Sequence, residues 1–182
     1  HLLALFGVPP AAALNAFSAV TAAGAVAFFY LLLVDWLPGS TMARRLGALF
    51  AALLLATNPT FWSQALIAEV YALHSLLLVA ILWSFGRFAE FHRVQTQESG
   101  GETQLGAIRS RRALVMLAGF IGLGLTHHGL TLLLLPPLLV ALTLVDRRWW
   151  RSWRTVVGMG LAVALPLLLY CYIPLRSVPA AS

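Results

Sequence analysis

The chain has 182 residues, of which 60% are hydrophobic and only 10% charged, and its mean hydropathy is +0.87. That composition excludes an ordinary soluble globular domain and points to a polytopic membrane protein. The 12 basic residues are all arginine and stand against 6 acids, a formal charge of +6; in so apolar a chain this excess encodes orientation rather than nucleic-acid binding.

Runs of about 20 apolar residues are the unit of a membrane crossing, and about six such runs follow one another. The first extends from about Ala11 to Trp36 and stops at Pro38-Gly39. The second starts near Thr41 with Ser40 as its N-cap and ends at Thr57, ahead of Pro59. The third spans about Ala72 to Phe88 and the fourth about Arg112 to Thr126, which is short for a crossing. The fifth covers about Gly129 to Val145, with Pro136-Pro137 expected to kink it, and it can equally form one bent hairpin with the fourth. The sixth runs from about Thr155 to Ile173 with Pro166 inside it. The expected fold class is therefore all-α, a polytopic transmembrane helical bundle.

Between the third and fourth runs, the polar segment around Gln95-Thr96-Gln97-Glu98-Ser99-Gly100-Gly101-Glu102 reads as a flexible linker, spanning residues 89–111 on the cytoplasmic side. The single cysteine, Cys171, lies in an apolar run and reads as a small buried side chain; it excludes an intrachain disulfide. The chain opens at His1 in mid-hydrophobic sequence and stops at Ser182 without closing an element. Residues 1–182 are thus expected to be part of one transmembrane domain cut at both ends.

If about six spans alternate, Arg44, Arg45, Arg87, Arg93, Arg109, Arg111, Arg112, Arg147, Arg148, Arg151 and Arg154 all fall on one side. Positive charge collects in cytoplasmic loops, so that side is cytoplasmic and the other external. Trp149, Trp150 and Trp153 interleave with arginines; nucleic-acid binding is conceivable there, but an interfacial aromatic belt explains the pattern more simply.

The external face keeps Asn58, Gln64, Glu69, Tyr71, His74, Thr126, His127, His128 and Arg176, so chemistry is expected there. Glu69 is its only acid, and a carboxylate at a membrane boundary is costly unless solvated or paired. It either pairs with Arg176 or binds and orients a polar substrate. Five residues separate Glu69 from His74, which on a regular helix puts them about 140° apart, a poor start for a metal site. His127 and His128 would point about 100° apart on a helix, so they suit hydrogen bonding to a phosphate or sugar better than a two-histidine metal pair. No metal is assigned to these residues, although a divalent ion remains compatible with Glu69. Phe61, Trp62, Tyr170 and Tyr172 read as interface anchors or as stacking faces for a sugar ring.

The order of Asn58-Pro59-Thr60-Phe61-Trp62-Ser63-Gln64 and Ala68-Glu69-Val70-Tyr71-Ala72-Leu73-His74, then Gly122-Leu123-Gly124-Leu125-Thr126-His127-His128, then Tyr172-Ile173-Pro174-Leu175-Arg176-Ser177 resembles a bacterial family of multipass membrane proteins related to protein O-mannosyltransferases. Asn15 fits the same pattern. The resemblance covers nearly the whole chain. It implies a GT-C-type glycosyltransferase that passes a sugar, with mannose expected, from a polyprenyl-phosphate carrier to an external acceptor such as a protein serine or threonine, in the bacterial cytoplasmic membrane. The partners implied are membrane lipid, the carrier-linked sugar and the external protein or glycan acceptor. In that class the catalytic base sits in the first external loop, which is expected upstream of His1, so residues 1–182 by themselves are expected to be inactive. Glu69, Tyr71, His74, His127, His128 and Arg176 map onto the substrate side.

Two other classes stay open at the level of sequence. A transporter or flippase would use Glu69 and the histidines in an ion or substrate pathway, although such groups tend to sit near the midplane in broken helices. A structural membrane subunit would only pair them.

Overall fold

The computed structural model describes residues 9–66, 71–98 and 104–170. Among them all regular structure is helical: α1 (Pro10–Trp36), α2 (Thr41–Thr57), α3 (Pro59–Leu66), α4 (Tyr71–Glu98), α5 (Gln104–His127), a 3-10 segment (Gly129–Leu134), α6 (Leu135–Val145) and α7 (Trp153–Leu167). The chain divides into two compact units, with the boundary between Trp83 and Ser84, inside α4.

Helix ends follow local chemistry closely. Gly39 has φ +111°, a left-handed conformation that only glycine adopts cheaply, and it lets the chain reverse after Pro38. Ser40 then caps α2, its hydroxyl accepting from the Ala43 N–H at 3.3 Å. Both α1 and α2 end where expected, at Trp36 and Thr57.

Three stretches differ from the sequence expectations. Residues 58–71, read as an external loop, contain α3, because Asn58-Pro59 starts a helix as well as ending one. The linker expected over residues 89–111 is mostly helix: α4 continues to Glu98 and α5 begins at Gln104. Polarity had suggested a loop, but residues 89–98 contain no glycine or proline, and Glu90 and Arg93 form a two-point ion pair along the helix, at 3.0 and 3.1 Å. Pro136 and Pro137 do not kink a long helix. They occupy the first turn of α6, where their missing N–H groups leave no helical bond unmade.

Among the described residues, two helices are long and apolar enough to cross a membrane, Pro10–Trp36 and Tyr71–Thr96; α2 and α3, bent by 61°, make a third if they form one span. The segments Gly129–Val145 and Trp153–Leu167 are apolar but shorter. Large apolar side chains stand exposed along α1, α2, α6 and α7, among them Val20, Phe50, Leu144 and Leu165. Exposure on that scale is unfavourable in water and expected against lipid.

In the first unit α1 packs on α2 and α3, and Gly24 and Phe28 of α1 meet Leu76 and Trp83 of α4. A Cβ at Gly24 would lie 3.3 Å from Leu76 Cδ1, and the Phe28 and Trp83 rings meet edge to face at 5.4 Å. In the second unit α5 packs against α7, and the 3-10 segment packs on α5 and α6. The neighbours along α5 and α7 advance together: Arg111 with Arg154, Val115 with Gly158, Gly119 with Ala162, Gly122 with Val163, Thr126 with Tyr170. These two helices therefore run parallel. A Cβ at Gly122 would lie 2.8 Å from both Cα and O of Val163, so glycine is what allows the two backbones to touch, the usual basis of helix association in lipid.

Candidate functional site

The polar residues singled out in the sequence fall into two groups, one in each unit. In the first unit the geometry begins at Asn58. Its Oδ1 accepts from the backbone N–H groups of Thr60 and Phe61 at 3.0 and 3.1 Å, and its carbonyl accepts from the Trp62 N–H at 2.8 Å. That N-cap, with Pro59 at the first helical position, fixes the direction of α3. α3 thereby lays Phe61, Trp62, Ala65 and Leu66 beside Ala19, Ala22, Ala23 and Val26 of α1 and Ala56 of α2, around an apolar groove of about 400 Å³. The alanines are the cause of the space, since longer side chains would fill it.

Gln64 stands on the same short helix with its Oε1 buried and without a donor among the described residues. A buried acceptor left unpaired costs about 1–3 kcal/mol, which marks this position as one where a hydroxyl-bearing ligand would be favourable. Sequence reasoning noted Gln64 only as one polar residue among several.

Tyr71 and His74 open α4, three residues apart and so on one helix face. Tyr71 is exposed and His74 partly buried. Glu69 and Arg176, the carboxylate and the cation expected at the site, lie outside the described residues, as does Tyr172.

In the second unit α5 ends at His127. Thr126 turns its hydroxyl back onto the carbonyls of Gly122 and Leu123, at 3.0 and 2.8 Å. The Tyr170 hydroxyl donates to the carbonyls of Leu125 and Thr126, at 3.3 and 3.1 Å, satisfying groups that a helix end leaves open. His128 has already left the helix: at φ −149° and ψ 125° it is extended and caps the 3-10 segment, its Nδ1 accepting from the Leu130 N–H at 3.2 Å. The expectation of two histidines about 100° apart on one helix is therefore corrected. The reason is local, since Gly129 follows and a ring-nitrogen cap replaces the next helical bond. With Nδ1 as acceptor, a neutral His128 carries its proton on Nε2.

A close approach supports this corner. A Cβ at Gly124 would lie 2.8 Å from Thr131 Cγ2 and 2.9 Å from its Oγ1. The glycines of the segment Gly122 to His128 thus serve packing, whereas its last three residues carry the polar chemistry. His127 and Arg112 are separated along α5 by about 23 Å at 1.5 Å per residue, so the histidines and the arginines occupy opposite ends of the second unit. Among the described residues no three His, Cys, Asp or Glu side chains come together in a way that could hold a metal ion.

Residues 1–153 match the family model described as the protein O-mannosyl-transferase TMEM260 N-terminal domain. The chain belongs to this family. No curated protein and no solved structure matches it. The matched part of this O-mannosyl-transferase domain contains the α1–α3 groove, Tyr71, His74, His127 and His128, while Tyr170 and Arg176 lie beyond it. The transporter reading is not favoured by this membership.

Proposed function

We propose that the chain is part of a membrane protein O-mannosyltransferase of the GT-C type, which transfers mannose from a polyprenyl-phosphate carrier to a serine or threonine hydroxyl on the external side of a bacterial cytoplasmic membrane. The family match over residues 1–153 is the observation that carries this reading. On this reading the chain crosses the membrane about six times; of the shorter segments, six residues of 3-10 helix followed by eleven of α6 extend about 28 Å, close to the hydrocarbon thickness.

The apolar groove of α1–α3 suits an isoprenoid segment of the carrier, since it is walled by alanine, Phe61 and Trp62 and lies among lipid-exposed side chains. Glu69, just beyond α3, would then orient the sugar or the acceptor hydroxyl. Tyr71, His74, His127 and His128 would bind its hydroxyls and the phosphate, and Arg176 would offset the phosphate charge. The donor phosphate is the leaving group, the acceptor oxygen forms the new glycosidic bond, and a base must take the acceptor proton.

Replacing Glu69 by Gln in the full-length protein tests the assignment. Transfer of labelled mannose to a serine- or threonine-containing acceptor should fall by at least about a hundredfold while expression and thermal stability stay unchanged. Unaltered transfer would remove Glu69 from the site, and ion-coupled flux without transfer would replace the enzyme by a transporter.

A further inference from the structure

At the end of the second unit opposite the histidines, the first turns of α5, the α6–α7 connection and the start of α7 enclose another cavity, of about 350 Å³. Arg111, Arg148 and Arg154 line it from three separate segments, together with Trp149 and Ser152. The lining includes one carboxylate, Asp146, whose Oδ1 accepts from the Arg148 backbone N–H at 2.7 Å. Arg111 Nη2 donates to the Arg154 carbonyl at 3.4 Å, and among the described residues none of the three guanidinium groups forms an ion pair. The Trp149 indole N–H is buried without an acceptor.

Three like charges and an unsatisfied buried donor around one cavity are unfavourable by themselves and become favourable around an anion. Guanidinium groups match phosphate oxygens in shape as well as charge. Trp150 and Trp153, beside the cavity in sequence, are exposed, as expected of residues at headgroup level. We propose that this cavity binds a phosphate ester, held by Arg111, Arg148 and Arg154 with the Trp149 N–H as a neutral donor. At the level of an aromatic belt the nearest source is the headgroup of an anionic phospholipid, and basic pockets between membrane helices take such headgroups. The site is independent of sugar transfer, and no bond is made or broken in it.

The test is native mass spectrometry of the full-length protein in detergent, titrated separately with phosphatidylglycerol, phosphatidylcholine and soluble glycerol phosphate. Phosphatidylglycerol should bind about tenfold more tightly than phosphatidylcholine. The preference should fall to about twofold or less in Arg148→Gln and Arg154→Gln, and by about threefold in Trp149→Phe, which keeps the ring and removes the donor. Arg148 lies in an exposed turn, so Arg148→Gln should keep the wild-type melting temperature. Binding of glycerol phosphate with the same arginine dependence, without a lipid preference, would support the site and assign it a soluble ligand. Equal binding of all three probes, or an equal loss in Arg45→Gln on α2, would overturn it.

Discussion

Small residues do opposite things in the two units. In the first, Ala19, Ala22, Ala23 and Ala56 hold back from one another and leave a groove beneath Phe61 and Trp62. In the second, Gly122 and Gly124 let α5 touch the backbone of α7 and the side chain of Thr131. Side chains are small in both places, a methyl group in the first and a hydrogen in the second, and the approach of the partner differs as well. α3 is set at an angle to α2 by the Asn58 cap, whereas α7 runs parallel to α5 and stays in contact along its length. Low volume leaves open space in one case and gives adhesion in the other.

The contrast can be broken most severely at Gly122. Gly122→Val should destabilise the protein by about 3 kcal/mol, read as an earlier unfolding midpoint in mixed micelles, because no flexible side chain can yield to the new Cβ. Gly160→Ala, where a Cβ meets nothing within 4 Å, should move that midpoint by no more than about 0.5 kcal/mol. An equal effect of the two would show that α5–α7 contact is not glycine-dependent. In the first unit, Ala23→Phe should fill the groove and leave stability nearly unchanged, while raising the apparent KM for a polyprenyl-phosphate donor about tenfold, equivalent to about 1.4 kcal/mol. A normal KM in that variant would mean that the carrier chain lies elsewhere.

Smaller effects sharpen the same picture. Tyr170→Phe removes the hydroxyl that holds the end of α5 and should cost about 1 kcal/mol, measured in the same micellar titration. Asn58→Ala should cost about 0.5–1 kcal/mol through loss of the α3 cap, and it should also lower donor affinity by loosening α3 over the groove. A stability loss with unaltered donor affinity would separate the cap from the groove.

Helix ends were legible wherever one residue had one job. Pro38-Gly39 ended α1, Ser40 capped α2, and Thr57 closed α2 before Pro59. Legibility failed where a residue had two. Asn58-Pro59 stops α2 and starts α3, and from sequence only the stop was read. Pro136-Pro137 looked like a kink inside one long segment because the 3-10 stretch before them has the same apolar composition as α6. The end of α4 was missed because a polar helix and a polar loop share a composition; the absence of glycine and proline over residues 89–98 and the i,i+3 pairing of Glu90 with Arg93 separate them. In the candidate site, the histidine pair was correctly placed next to the end of α5, but the turn of His128 out of the helix depends on a ring-nitrogen bond to Leu130 that no spacing rule encodes. The α1–α3 groove was invisible for a different reason: it is made of what alanine lacks.

The proposed chemistry is tested most directly by following carrier-linked labelled mannose in membranes that contain the full-length protein. Label should appear on protein in a linkage released by alkaline β-elimination, as expected for serine or threonine O-mannose, and should depend on Glu69. Label that stays on the lipid, or that crosses the bilayer without reaching protein, would contradict the assignment.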